Sequence, residues 1–241
     1  MRPARVAMSS VPQVFFYYMI VRDCATRLTS RDRAGKSLRL GGAAGSRTVI
    51  YAAVTTPEHS QYVSRGGEKL EAALTVFGID VCGLVCADLG SHVGGFVDCL
   101  LQRGATRVYS VDTSYGTLAW RLRKDDRVVV FERTNAMHAA LPQPVDLVTV
   151  DVGWTPQSKV LPNVRKMLAA TGSVVTLIKP HYEASASKLQ NGILPEGDVE
   201  EVVAAVLASV RSRGWEVVQT VQSPIKGHGG NRELFARLRP V

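Results

Sequence analysis

Two lysines and two acids, each in an apolar or glycine-rich setting, are the residues of this chain best suited to chemistry. They are Lys69 in Ser64-Arg65-Gly66-Gly67-Glu68-Lys69-Leu70, Asp151 in Leu147-Val148-Thr149-Val150-Asp151, Lys179 in Leu177-Ile178-Lys179-Pro180, and Glu233 in Gly230-Asn231-Arg232-Glu233-Leu234. That set suits alkyl transfer to a weakly acidic hydroxyl. Such a transfer is a direct displacement, so the acceptor oxygen must be aligned with the alkyl carbon and its proton removed or stabilised. A free lysine, with a pKa of about 10.4, is a poor base at neutral pH. Lys179 is therefore assigned either to deprotonate the hydroxyl or to stabilise the forming alkoxide, and the residues leave both open. Asp151 positions Lys179 and lies near the donor. Lys69 and Glu233 complete the charge balance and hold the acceptor. A lone lysine is ordinarily a surface charge, but Asp151 and Lys179 directly follow apolar strands.

A glycine-rich turn, Asp88-Leu89-Gly90-Ser91-His92-Val93-Gly94-Gly95-Phe96, lies between the first two clusters. Glycine allows close approach of backbone, and the start of the following helix offers free N–H groups. A dinucleotide site needs G-x-G-x-x-G to seat a pyrophosphate. This spacing differs, which counts against a nicotinamide oxidoreductase. An acid before the loop instead suits the ammonium and sulfonium of S-adenosylmethionine. The expected cofactor residues are Asp88, Gly90, Ser91, Gly94, Gly95 and Phe96, with Asp112 toward the ribose hydroxyls, Asn135 toward the adenine edge, and Asp151 near the sulfonium. The competing reading of the loop is a plain tight turn.

These residues need a scaffold that gathers strand ends. Helical spacing runs from Glu68 to Phe77, Gly94 to Arg103, Leu118 to Lys124, Val160 to Ala169 and Val199 to Val210, with Pro162 in the first turn of its helix. Apolar strands run over Val85–Leu89, Arg107–Val111, Val128–Phe131, Leu147–Val150 and Val174–Ile178. Trp215–Val221 and Leu234–Leu238 close the sheet. Strands alternating with helices imply an α/β, Rossmann-like fold with a mainly parallel, doubly wound sheet. Such sheets bind ligands beyond the carboxyl ends of their strands, where Asp88, Asp112, Asp151 and Lys179 all fall.

Residues 1–60 read differently. Residues 1–50 carry nine Lys/Arg and two Asp/Glu, so nearly all of the net charge of +8 sits there. This basic, poorly defined segment suits a polyanionic partner or is a solvated tail. Within it, 41–46 reads as a linker and Thr48–Val54 as one strand. The run Val14–Val21 is too short to span a bilayer and reads as a buried strand or helix fragment. The four cysteines form no CxxC pair and no His lies at metal-ligand spacing beside them, so no metal is expected. They read as reduced, mostly buried thiols of a cytoplasmic protein. His92 and His181 fall close to candidate site residues without being required by the chemistry.

The motifs together resemble the TlyA-type family of ribose methyltransferases, often named haemolysins, within the FtsJ-like group. The matching stretches are Tyr62–Leu70, Gly94-Gly95-Phe96 with Asp98–Leu101, Val108–Asp112, Tyr115-Gly116 with Leu118–Trp120, Glu132–Asn135, Asp151-Val152, Leu177–Pro180, Ser223-Pro224-Ile225 and Gly230-Asn231 with Glu233. The resemblance covers residues 60–240. It implies S-adenosylmethionine as donor, a ribose 2′-hydroxyl of ribosomal RNA as acceptor (on free RNA or ribosomal subunits), and Lys69, Asp151, Lys179 and Glu233 as a Lys-Asp-Lys-Glu tetrad. Residues 61–241 would form the FtsJ-like domain, and 1–60 a truncated or diverged RNA-binding region, since the family's usual S4 domain is not recognisable there. Gly153-Trp154-Thr155 stands where the family has a Ser-Phe-type stretch, and His181-Tyr182 where it has a Gln-Phe-type pair. His92 and Val93 are bulkier than usual, and 184–194 lacks the family's basic and glycine pattern. These departures flank the substrate side and motivate an alternative: a catalytically silent protein of methyltransferase fold that binds RNA or assists ribosome assembly. Membrane lysis finds no spanning or strongly amphipathic basic helix.

Overall fold

The computed structural model describes residues 61–241, together with the backbone of two short antiparallel strands, Ser30–Arg31 and Ser37–Leu38. The chain divides into two units, Met1–Glu58 and His59–Val241. The expected linker at 41–46, the strand at 48–54, the apolar run at 14–21 and Cys24 lie outside the described residues.

The larger unit is built on a seven-stranded sheet. Its strands are β1 (Val85–Leu89), β2 (Arg107–Val111), β3 (Val128–Phe131), β4 (Val145–Val150), β5 (Leu168–Ile178), β6 (Trp215–Gln222) and β7 (Leu234–Pro240). They lie in the order β3-β2-β1-β4-β5-β7-β6. The first five are parallel, and β7 runs antiparallel to both of its neighbours. The helices are α1 (Arg65–Phe77), α2 (Gly95–Gln102), α3 (Trp120–Arg123), α4 (Gln157–Met167), α5 (Pro180–Glu183) and α6 (Glu196–Ser212).

The central strands are buried on both faces, which is why they read as continuous apolar runs rather than alternating ones. Alternate residues serve two cores. Ala87, Leu89, Val148 and Val150 pack with Val160, Leu161 and Val164 of α4 and with Val202 and Val206 of α6. Cys86, Val108, Leu147 and Phe235 pack with Leu70, Leu74 and Phe77 of α1 and Val97, Leu100 and Leu101 of α2. The parallel order reverses between β1 and β4. That switch point leaves a crevice beyond the strand ends.

Two elements differ from expectation in ways that matter for the site. Helix α4 starts at Gln157, not Val160, so Pro162 lies in its second turn. The extra turn is supported by the Glu183 side chain, which accepts the Gln157 N–H at 2.8 Å. Helix α3 is a single turn, Trp120–Arg123, because the chain from 112 to 119 is spent in turns around the Asp112 carboxylate. Among the described cysteines, Cys86 and Cys99 are buried and Cys82 is exposed, all as free thiols.

Candidate active site

Lys69 is carried by the first turns of α1, whose Leu70, Ala73, Leu74 and Phe77 face the core. The chain entering α1 is pinned by Asp98 of α2, whose buried carboxylate accepts the Val63 N–H at 2.8 Å. Lys69 Nζ donates to Glu233 Oε2 at 2.6 Å. Glu233 sits one residue before β7, and its backbone carbonyl accepts the Ser223 N–H at 2.9 Å. The 223–230 loop then folds directly onto the carboxylate. A Cβ at Gly227 would lie 2.2 Å from Glu233 Oε1, so any side chain there would have to displace the carboxylate.

Asp151 and Lys179 follow β4 and β5 without an intervening residue. The Asp151 N–H extends the ladder to Leu89 O at 2.9 Å, which holds the start of the loop rigidly at the strand end. Lys179 Nζ lies 2.6 Å from Asp151 Oδ1. The two charges touch as an ion pair, without an aligned hydrogen bond to Oδ1. All four residues line one cleft of about 300 Å³, together with Asp88, Gly90, Ser91, Gly95 and Phe96.

Asp88 is the most perturbed group there. It is fully buried, with Oδ1 accepting the Thr149 hydroxyl at 2.7 Å and Oδ2 left without a partner. Burial pushes its carboxyl up to about 7, against the pull of that hydrogen bond. An orphaned buried carboxylate oxygen in a cleft costs free energy unless a donor reaches it. A ligand ammonium is such a donor, so the residues present fit the cationic end of S-adenosylmethionine.

The glycines of the loop serve packing as well as access. Gly90 has φ +90°, and a Cβ on it would lie 2.4 Å from the Asp151 carbonyl oxygen, so the loop lies directly against the Asp151 strand end. Gly94 is turned toward Leu118 and Leu122 instead of the cleft. Asp112 and Asn135 also fall outside the cleft lining. Asp112 accepts the His92 N–H at 2.8 Å on Oδ2 and the Ser114 N–H and hydroxyl at 2.7 and 2.6 Å on Oδ1. Burial works against its charge, but those hydrogen bonds prevail and hold it below the usual carboxylate range. Asn135 is exposed, and its Oδ1 accepts the Met137 N–H at 2.9 Å.

The cleft lining also includes residues outside the expected set, among them Arg65, His92, His181, Tyr182 and Lys226. His92 and His181 lie within or beside candidate motifs, and their proximity was legible. Lys226 was not, because a lysine in a turn has no distinguishing neighbours. His181 is buried with Nδ1 unpartnered, and burial together with the Lys179 charge lowers its pKa. Trp154, 82% exposed, sets its ring 5.4 Å from that of Tyr182.

A family model described as FtsJ-like methyltransferase matches residues 62–239. The 16S/23S rRNA (cytidine-2′-O)-methyltransferase TlyA of Mycobacterium tuberculosis is 39% identical over 191 residues, 77% of this chain and 71% of that protein. Hemolysin A of Brachyspira hyodysenteriae is 37% identical over 190 residues, covering 75% and 78% of the two chains. The crystal structure of a hemolysin-type protein from Lactococcus lactis superposes with a TM-score of 0.71 at 38% identity, covering 74% of this chain and 88% of that one.

Proposed function

The chain belongs to the FtsJ-like methyltransferase family, and from that premise we propose that it transfers a methyl group from S-adenosylmethionine to a ribose 2′-hydroxyl of ribosomal RNA. The observation that carries this reading is the convergence of two lysine–carboxylate pairs on the cleft that also contains the orphaned Asp88 oxygen. When bound, S-adenosylmethionine supplies an electrophilic methyl carbon on a cationic sulfur. Asp88 Oδ2 would accept from its ammonium, and residues of the Gly90–Phe96 loop would shape the wall beside it. Asp112 and Asn135, which follow β2 and β3 outside the cleft lining, would serve the nucleoside.

Lys179, backed by the Asp151 carboxylate, meets the acceptor hydroxyl. Either its neutral amine takes the hydroxyl proton, or its ammonium orients the oxygen and offsets the growing negative charge while the proton passes to water. Lys69 and Glu233, paired in the same cleft, hold the ribose. Arg65 and Lys226, both exposed at the cleft, meet the flanking phosphates. The Trp154–Tyr182 pair offers an aromatic face on which a base stacks. A ribosomal substrate places the protein in the cytoplasm, and no described helix is long and apolar enough to cross a membrane. The 61–241 segment is the methyltransferase domain on this reading, with the basic 1–60 segment adding affinity for RNA. A catalytically silent RNA-binding protein would have no need of four intact, converging tetrad side chains.

The test is transfer of labelled methyl from S-adenosylmethionine to unmodified ribosomal subunits and free ribosomal RNA, followed by mapping of 2′-O-methyl positions. Lys179→Ala should abolish transfer while calorimetric binding of S-adenosylhomocysteine stays within about threefold, since that side chain acts on the acceptor. Absence of labelled RNA with the wild-type protein, or full activity of Lys179→Ala, would overturn the reading.

A further inference from the structure

Lys179 is flanked by two residues that both bind Gln157. Thr176, in β5, donates its hydroxyl to Gln157 Oε1 at 2.7 Å. Glu183, at the end of α5, accepts the Gln157 backbone N–H at 2.8 Å. Gln157 is the first residue of α4 and follows Asp151 in the chain after one short loop. Gln157 and Thr176 are buried, Glu183 is half-buried, and none of the three lines the cleft.

The contact between Lys179 and Asp151 does not set its own geometry. It is close, but Asp151 Oδ1 takes no hydrogen bond, so the pair lacks the directional restraint that such a bond gives. The loop from Asp151 to Gln157 also contains Trp154 at φ +52°, a conformation that strains a bulky side chain and persists only where the surroundings hold it. Something beyond the loop must hold it. Helix α4 has Pro156 at its N-cap and no side-chain cap of its own. Glu183 supplies the missing acceptor from the segment that bears Lys179, and its carboxylate meets the partial positive charge of the helix start. Burial pushes the Glu183 carboxyl up, while the Gln157 N–H draws it back.

We propose that the Thr176–Gln157–Glu183 bridge sets the position of Lys179 relative to Asp151 for methyl transfer, with Gln157 and Glu183 as positioning residues. This rests on the catalytic reading given above. The bridge fastens the Lys179 segment on both sides of the lysine to the one residue that ends the Asp151 loop.

Single-turnover methyl transfer by the full-length protein tests it. Glu183→Ala should slow transfer about ten- to a hundredfold, the range expected for a displaced reacting group. Binding of S-adenosylhomocysteine and the KM for ribosomal RNA should stay within about threefold, because the bridge touches neither ligand. Glu183→Gln keeps an acceptor oxygen and should restore the rate to within about threefold of wild type. Thr176→Val removes one hydroxyl at nearly constant shape and should slow transfer about three- to tenfold, so it carries the test if Glu183→Ala does not fold. Amide hydrogen exchange of residues 151–157 should quicken in Glu183→Ala and Thr176→Val but not in Glu183→Gln. A folded Glu183→Ala with the wild-type rate, a Glu183→Gln as slow as Glu183→Ala, or unchanged exchange would each overturn the proposal. If the wild-type protein methylates no RNA, the functional reading fails, and the exchange measurement still decides whether the bridge orders the loop.

Discussion

Replacing Lys69 by Met should destabilise the protein far more than an ordinary surface lysine would. The Lys69 side chain is 14% exposed and that of Glu233 is 4% exposed, with Nζ and Oε2 2.6 Å apart. Met has a similar length and no charge, so Lys69→Met leaves a buried carboxylate without its cationic partner. Breaking a buried pair in this way costs about 3–5 kcal/mol. The cleft admits some water on the Lys69 side, so the lower end, about 3 kcal/mol, applies here. With an m-value of about 2 kcal/mol/M, that moves the urea midpoint down by about 1.5 M. Glu233→Gln retains an oxygen to accept from Lys69 and should cost only about 1 kcal/mol. The combined Lys69→Met and Glu233→Gln variant removes the stranded charge and should recover about 2 kcal/mol of the loss, a coupling typical of residues in contact. The assay is equilibrium urea unfolding of the three variants beside wild type, followed by circular dichroism. Lys69→Met unfolding at the wild-type urea concentration, or a double variant no more stable than Lys69→Met, would refute the claim that this pair is a buried, mutually dependent unit.

Two further outcomes follow from Asp88 and Trp154. Burial raises Asp88 from 3.8 to about 7. Because the folded value is the higher one, this group favours the ligand-free folded chain at pH below about 4, and that contribution is lost as pH rises through about 7. A bound ammonium favours the ionised form instead, so calorimetric affinity for S-adenosylhomocysteine should rise about tenfold from pH 6 to pH 8. Asp88→Asn should flatten that dependence, and a flat wild-type profile would refute the role. Trp154→Ala should change stability by less than about 0.5 kcal/mol, because the side chain is 82% exposed. It should raise the KM for ribosomal RNA by the equivalent of about 1–3 kcal/mol, the value of one stacked base. Steady-state methyl transfer measures this, and an unchanged KM would remove Trp154 from the RNA surface.

Much of the site was legible because strand-end residues announce themselves. Val85–Leu89, Arg107–Val111 and Val128–Phe131 are strands with the expected bounds, since each is a short, mainly apolar run that ends at turn or charged residues. Asp151 and Lys179 follow from that pattern directly. Asp112 and Asn135 show its limit. Both sit after strands as expected, yet the structure commits their carboxylate and amide oxygens to neighbouring backbone N–H groups. A residue's place in the chain does not say how its hydrogen bonds are spent. The start of α4 was missed for a related reason, since its cap comes from Glu183, distant in sequence.

The order of residues alone determined the class of fold, the glycine loop and the four charged side chains, because each is written in local composition and period. The tertiary structure decided how the two pairs form. Strand β7 runs antiparallel, so its first residue, Leu234, pairs with Ile178 at the last position of β5. That direction delivers Glu233 to the same sheet edge as Lys179. A parallel β7 would have left the acid at the opposite end of the sheet, and nothing in the local sequence states which way that strand runs.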